Sequence, residues 1–180
     1  MNEIIKSLSR DQTNDFPLLV RYSLVDNDVC NGNQDTIDHM TTSDEMKANV
    51  LKTLANSDTK LPKGSHDRIH PFGRVGYPVT YREIYEYLSC LEISPCNDWL
   101  SSNSTLRDLT TQRAVELSEA VKEATMTYRA QNFDTDYMDF PFQVIFDEWK
   151  SQGGESWQLI ETVDGFHINQ YGHATVSDVF

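Results

Sequence analysis

The sequence predicts one α/β domain, built on a parallel β-sheet and spanning residues 1–180. The run from Phe16 to Val25 is nearly continuously apolar, as in strands covered on both faces of a parallel sheet. Capping-box patterns that begin at Thr42 and Thr80 mark the starts of two helices after this strand. A chain of 180 residues can bury one full core, which favours a single domain.

In the amino half, residues 1–10 have apolar side chains at helical spacing, and the helix that begins at Thr42 continues to about Asn56. Alternation of strands and helices then requires another strand. Residues 61–78 contain too much proline and glycine for a strand inside a sheet. We therefore expect the sheet to lack one internal strand.

In the carboxyl half, a long helix is predicted from Leu109 to Tyr128. Its apolar face consists of Ala114, Leu117, Val121, Ala124 and Tyr128. Residues 133–140 are predicted to form a strand, and an amphipathic helix begins at Phe142 and stops before Gly153.

Charge and hydropathy argue against a nucleic-acid partner, a transmembrane helix and a signal peptide. The formal net charge is −13 and no cluster of lysine or arginine offsets it, so nucleic acid is not an expected partner. No apolar run approaches the length of a transmembrane helix. Residues 1–6 lack the apolar core of a signal peptide, and we expect no signal peptide in this chain.

The three cysteines allow three single disulfides, and the sequence leaves the choice open. Cys90 and Cys96 are spaced to close a small loop, which would leave Cys30 over. Asn103-Ser104-Thr105 is a glycosylation acceptor if the chain enters the secretory path.

The candidate catalytic residues lie in the segment 157–170, where an apolar run leads to Asp164 and His167 and then to a possible helix start. A carboxylate three residues before an imidazole can accept a hydrogen bond from its Nδ1–H and leave Nε2 facing a nucleophile. The alternative interpretation is a simple turn with a surface histidine. Chance is a real competitor, because Asp67 and His70 repeat the same spacing.

A second candidate site follows the first strand, in the polar segment 26–33. In open α/β sheets, ligands bind beyond the carboxyl ends of the strands. The Asn27 amide could donate there to a developing oxyanion. The alternative is an ordinary turn made of Asn, Asp and Gly.

His66 and His70 imitate the zinc-protease pattern, in which two histidines four positions apart face one side of a helix. Pro62, Gly64 and Pro71 oppose a helix through this segment. We therefore expect no metal site here.

Seven segments carry a family resemblance along nearly the whole chain. They are Met40–Thr42, Leu61–His66, His70–Gly73, Leu88–Cys96, Tyr137–Phe140, Trp157–Glu161 and Val163–His167. In the same order, they resemble the C-terminal part of the acyloxyacyl hydrolases, which are lipase-type esterases of the SGNH (GDSL) class. The resemblance implies a flavodoxin-like, three-layer α/β/α fold, incomplete here because its N-terminal strands and one internal strand are missing.

The resemblance also implies an activity and a role for each candidate residue. The activity is removal of secondary fatty acyl chains from lipopolysaccharide lipid A by a Ser-His-Asp mechanism. His167 matches the catalytic base, Asp164 its carboxylate partner and Asn27 the donor to the oxyanion, while Asp28 would hold the loop. The family binds calcium upstream, so no cofactor is expected in this chain, and related proteins are secreted or lysosomal.

Three departures from the family pattern stand out. The nucleophilic serine of the Gly-Asp-Ser motif has no counterpart. Relatives carry a strand and a loop between the equivalents of His66 and Asp67, which are consecutive here. Asp26 stands near Asn27 where the family favours glycine, and its charge would oppose an oxyanion.

Two functional hypotheses follow. In the first, the chain is the C-terminal piece of a serine esterase that acts on a lipid or lipopolysaccharide acyl ester, and an upstream segment supplies the nucleophile and completes the sheet. In the second, it is a catalytically inactive fragment or a lipid-binding remnant. Under either hypothesis we predict no esterase activity for the 180 residues alone.

Overall fold

The computed structural model describes residues 2–23, 25–30, 36–69, 96–101, 103–139, 142–163 and 166–177. The α-helices are α1 (Asn2–Ser7), α2 (Val25–Val29), α3 (Thr36–His39), α4 (Ser43–Asp58), α5 (Ser104–Thr127), α6 (Phe142–Ser151) and α7 (Gln170–Ser177). The strands are β1 (Leu19–Tyr22), β2 (Ser65–Ile69) and β3 (Phe133–Tyr137), and a 3₁₀ helix covers Ser156–Leu159.

The three described strands form one parallel sheet in the order β1-β2-β3. Leu19 lies opposite His66 on β2, and Ser65 lies opposite Phe133 on β3. Parallel neighbours need long crossover connections, and α4 and α5 lie between successive strands along the chain. The predicted α/β class with a parallel sheet is confirmed. Sequential strand order of this kind is found in one half of a doubly wound sheet.

The central strand β2 corrects the expectation that residues 61–78 hold no interior strand. Pro62 and Gly64 lie just before the strand, and Gly64 makes the turn into it with a φ of +83°. The buried positions of β2 include Ser65 and Asp67, so polar residues hide the alternation that marks a strand. The sheet has a strand at the place where the sequence predicts a gap.

Strand β1 is shorter and more exposed than predicted. It has four residues, and Leu19 is 65% exposed, while Phe16 before it is 88% exposed. Val25 and Val29 are buried, but they belong to the short helix α2. The apolar run is therefore divided between a strand and a helix, and the predicted cover on both faces is wrong for β1.

The two faces of the sheet differ in chemistry. Tyr22 and Ile69 are 8% and 2% exposed, and both line a small cavity together with Leu54 of α4. On the opposite face, Arg68 and Asp136 form a cross-strand ion pair with part-exposed side chains. Apolar contact with α4 thus holds one face, and charged side chains occupy the other.

The helices predicted from Thr42, Leu109 and Phe142 are confirmed, and their signals are local. The helix predicted to begin at Thr80 lies outside the described residues. Thr42 caps α4 in a complete capping box with Glu45. The buried positions of α4 include Met46, Val50 and Leu54. The predicted apolar face of α5 is buried at Ala114, Leu117, Val121 and Ala124. In α6, Phe142 and Ile145 are buried, and the helix ends before Gly153 as predicted.

The chain divides into two compact units. The sheet unit consists of Met1–Asp26, Thr41–Phe72 and Val115–Phe140, and the disulfide unit consists of Asn27–Met40, Gly73–Ala114 and Pro141–Phe180. The sheet unit contains the three strands, α1 and α4, with Ile5 of α1 buried against α4. Within the described ranges, no helix has the length and apolar character that a membrane crossing requires.

Candidate active site

His167 lies on a loop of the disulfide unit that is closed at its base by the backbone. Ile160 and Ile168 form an antiparallel bridge, and the Glu161 N–H donates to the His167 carbonyl at 2.7 Å. The His167 side chain is exposed. Its predicted partner Asp164 lies outside the described residues, so the pairing of these two side chains stays a prediction.

Asn169 fastens this loop to the helix that follows it. Its Oδ1 accepts from the N–H groups of Tyr171 at 2.9 Å and Gly172 at 3.1 Å, which caps the start of α7. Its Nδ2 donates to the carbonyls of Gln158 at 2.8 Å and Ile160 at 3.0 Å. The predicted helix start is confirmed. The sequence signal for Asn169 is an asparagine directly before a helix, and the link back to residues 158–160 has no sequence signal.

Asn27 lies in α2 and not in a loop, which corrects the expectation of a loop for residues 26–29. Residues 31–33 of the polar segment lie outside the described part of the chain. Val25 and Val29 are 1% and 0% exposed and bury one side of the short helix, while the Asn27 side chain is exposed. Asp28 is half-buried. The side chain of Asp26 lies outside the described part of the structure.

A disulfide joins Cys30, next to α2, to Cys96, with their Cα atoms 4.6 Å apart. The small Cys90–Cys96 loop is therefore not formed, and Cys90 lies outside the described residues. The two bonded cysteines are separated by 66 residues, so local spacing could not reveal the pair. The bond ties the segment that carries Asn27 to the segment 96–101.

A row of aromatic rings continues from that segment to His167. The rings of Trp99 and Phe166 lie 6.1 Å apart between centroids, and those of Phe166 and His167 lie 5.1 Å apart at an interplanar angle of 88°. Both separations are those of interacting aromatic pairs. The Trp99 Nε1–H donates to Thr111 Oγ1 at 3.0 Å. The disulfide and these rings connect the Asn27 and His167 segments within one unit. The sequence carried no signal for this role of Trp99 or Phe166.

The sheet unit holds a second histidine–carboxylate pair, which sequence reasoning missed. The His66 Nε2 contacts the Asp136 Oδ1, and the Arg68 Nε donates to Asp136 Oδ2 at 3.2 Å. Strand register creates the cluster, because Arg68 lies opposite Asp136. Residues 65–69 form a strand, so His66 does not belong to the helix that the zinc-protease pattern requires. His70 lies outside the described residues.

Ser65 stands beside His66 in the sequence but is occupied elsewhere. It is fully buried, its Oγ donates to the Pro62 carbonyl at 2.7 Å, and it accepts from the Leu18 N–H at 3.0 Å. These bonds fix the entry to β2. The hydroxyl therefore serves the backbone rather than facing the imidazole of its neighbour.

The buried carboxyl of Asp67 has a strongly raised pKa. Asp67 is 2% exposed, and its Oδ1 accepts no hydrogen bond from the residues that the structure describes. Burial raises the pKa of its carboxyl to about 6, which the His66 imidazole opposes and the Asp136 carboxylate reinforces. Among the residues that the structure describes, no group of three His, Cys, Asp or Glu side chains could hold a metal ion.

Comparison with known proteins places the chain in a family. The family model described as GDSL-like lipase/acylhydrolase matches residues 2–180. Acyloxyacyl hydrolase of Mus musculus is 43% identical, and the match covers 94% of this chain and 33% of the mouse protein. Acyloxyacyl hydrolase of Homo sapiens is 40% identical, covering 100% of this chain and 34% of the human protein. That of Oryctolagus cuniculus is 42% identical, covering 94% and 33%.

The chain therefore spans about a third of the length of these relatives. The alignment with the human protein runs over 197 positions, 17 more than the 180 residues of this chain. The human protein thus has residues inside the matched region that this chain lacks.

Proposed function

Because this chain belongs to the GDSL-like lipase/acylhydrolase family, we propose that it forms the carboxyl-terminal part of the catalytic domain of a carboxylic ester hydrolase. In this proposal His167 is the general base and Asp164 holds its imidazole in the reactive tautomer. Asn27 donates its side-chain amide to the oxyanion of the tetrahedral intermediate. The nucleophilic serine comes from an upstream segment, because the 180 residues contain no Gly-Asp-Ser motif.

One observation carries the proposal. The exposed Asn27 and the exposed His167 belong to the same compact unit, where the Cys30–Cys96 disulfide and the contact of Trp99 with Phe166 connect their segments. A base and an oxyanion donor must face one substrate together, so segments that are tied to each other support this pair of roles.

The substrate we propose is a fatty acyl ester of a lipid, and specifically a secondary acyl chain of lipopolysaccharide lipid A. The support is the name of the three relatives, acyloxyacyl hydrolase, which describes cleavage of an acyl group from an acyloxyacyl ester. The chain itself needs no cofactor in this mechanism. The described disulfide supports a secreted or lysosomal location, since disulfides persist in oxidising compartments.

A partner segment is part of the proposal. Among the described strands, β1 has a neighbour on one side, and the exposed Leu19 and Phe16 lie in and beside it. An open strand edge with exposed apolar side chains is a template for another strand. We propose that the upstream segment which brings the serine also pairs with β1.

The test compares the chain alone with a joined protein, in which this chain replaces the matched region of the mouse relative and follows the mouse residues that precede it. Both are incubated with a fluorophosphonate serine probe, a chromogenic short-chain ester and lipopolysaccharide. We expect labelling, ester turnover and fatty acid release from the joined protein. We expect no labelling, ester turnover or fatty acid release from the chain alone. That result would support the hypothesis that the chain in isolation is an inactive fragment.

Two results would overturn the proposal in different parts. Labelling and turnover by the chain alone would show that the nucleophile lies within the 180 residues. A folded joined protein that binds lipopolysaccharide without releasing fatty acid or cleaving the chromogenic ester would favour the lipid-binding remnant.

A further inference from the structure

We propose that Trp99 is a positioning residue for His167: it acts through the Phe166 ring to hold the imidazole in the orientation in which it takes a proton. This inference rests on the proposed function, because it assigns Trp99 a part in the same site. Trp99 itself touches no reacting atom.

Trp99 is a suitable anchor because its backbone lies near the disulfide and its ring is hydrogen-bonded to α5. It lies in the turn that follows Cys96, which the disulfide bonds to Cys30. Its Nε1–H donates to Thr111 Oγ1 at 3.0 Å, and the Thr111 hydroxyl donates its own hydrogen to the Arg107 carbonyl at 2.9 Å. The threonine hydrogen is therefore directed into α5, and a lone pair is left for the indole.

The Trp99 ring in turn contacts the Phe166 ring. The two rings lie 6.1 Å apart and are tilted by 32°, and both side chains are half-buried. Phe166 directly precedes His167, and its ring meets the imidazole edge-on at 5.1 Å. Aromatic pairs prefer edge-to-face arrangements of this kind, so the contact favours one relative orientation of the two rings.

The loop fixes the backbone of His167, and the Phe166 ring contacts its side chain. The Glu161 N–H bonds to the His167 carbonyl, and the Ile160–Ile168 bridge closes the loop. The side chain is exposed, and its ring contacts decide which of its staggered rotamers it adopts. A general base must lie within hydrogen-bond reach of the proton that it removes, so contact with Phe166 favours the productive rotamers.

The test has a structural and a kinetic readout. In the 180-residue chain, NMR follows the imidazole signals of the five histidines, with His167→Ala used to assign those of His167. Trp99→Leu should move the His167 ring signals toward those of free histidine, because Phe166 loses its support. In the joined protein, Trp99→Leu should lower kcat roughly tenfold or more with KM unchanged, as expected when a base is misplaced.

Two further variants keep the test decisive. Thr111→Val removes the hydrogen-bond acceptor and leaves the indole in place. It should shift the same His167 signals by less than Trp99→Leu does. If Trp99→Leu fails to fold, Thr111→Val should still fold and can replace it in the test. Trp157→Leu removes a tryptophan of the same unit that is 44% exposed, and it should change neither the His167 signals nor kcat.

The inference is overturned if Trp99→Leu and Thr111→Val leave the His167 signals and kcat as in the parent proteins. It is also overturned if Trp99→Leu lowers only the resistance to urea, since a purely structural tryptophan behaves in that way. Failure of the proposed function looks different, because in that case His167→Ala itself would leave kcat unchanged.

Discussion

His66 and His167 are held in opposite ways. His66 stands on the central strand, where Asp136 of β3 contacts its Nε2 and Arg68 shares the same carboxylate. His167 stands on a loop that two backbone contacts close, and the ring beside its imidazole is Phe166. The contact with a carboxylate makes His66 a competing candidate for the catalytic base.

The comparison teaches that a fixed histidine–carboxylate pair is not evidence of catalysis by itself. Asp136 also neutralises a guanidinium, and the hydroxyl of Ser65, the serine next to His66, is buried and bonded to the backbone. His167 is exposed and lies in the same unit as the exposed Asn27. The two histidines therefore differ in the groups that lie near them and in their exposure, and not only in the contacts that hold them.

Removing the disulfide should cause the largest loss of stability, and the loss should affect the surroundings of His167 more than those of His66. Replacing Cys30 and Cys96 by alanine frees a loop of 66 residues, which should cost about 4 kcal/mol. Hydrogen exchange should accelerate around His167 in the disulfide unit more than in β2, where His66 lies. Cys90→Ala, which leaves the bond intact, is the matched control. Equal acceleration in both places would contradict the separate anchoring of the two histidines.

Replacing Asp67 should change the stability of the sheet unit, which contains His66. Its pKa of about 6 lies above the ordinary value of 3.8, so its contribution to stability is complete below pH 3.8 and is lost as the pH rises through 6. Asp67→Asn removes this loss and should raise the free energy of unfolding at pH 8 by up to about 3 kcal/mol.

The measurement for Asp67 is urea unfolding at pH 5 and pH 8, with the exposed Asp134→Asn on β3 as control. Other titrating groups near Asp67 are His66, Asp136 and, lining the same cavity, Arg21 and Tyr22. The side chains that α1 and α4 contribute to this cavity do not titrate. An Asp67→Asn protein with the same difference between the two pH values as the parent would refute this account.

His66→Ala should have the smallest effect. The His66 and Asp136 side chains are 39% and 37% exposed, and solvent screens a pair of this kind. We expect a loss of less than about 1 kcal/mol in urea unfolding. A loss above about 2 kcal/mol would mean that the cross-strand cluster holds the sheet together.

The sequence predicted the elements whose signals are local. The capping box at Thr42 and the apolar face of α5 depend on residues three and four positions apart, and both are present as predicted. β2 escaped prediction because its inward positions carry Ser65 and Asp67, whose burial depends on neighbouring strands and on α4. β1 was predicted, but as part of a longer strand. A continuous apolar run does not show by periodicity where a strand ends and a helix begins, so its four-residue length was not predictable.

Some residues of the candidate site were likewise predictable from local sequence, and others were not. His167 and Asn27 were found from motifs and the family resemblance, and the helix start after His167 from its local pattern. The Cys30–Cys96 bond and the rings of Trp99 and Phe166 join residues that are distant along the chain. No periodicity encodes such contacts, so they became visible only in the fold.

The most direct measurement of the central claim is the pair of substitutions His167→Ala and His66→Ala in the joined protein, assayed with the chromogenic ester. Our account predicts that His167→Ala lowers kcat by about 10⁴- to 10⁶-fold while His66→Ala stays within about twofold of the parent. A His167→Ala protein that keeps the parent kcat, or an equal loss from both substitutions, would contradict it.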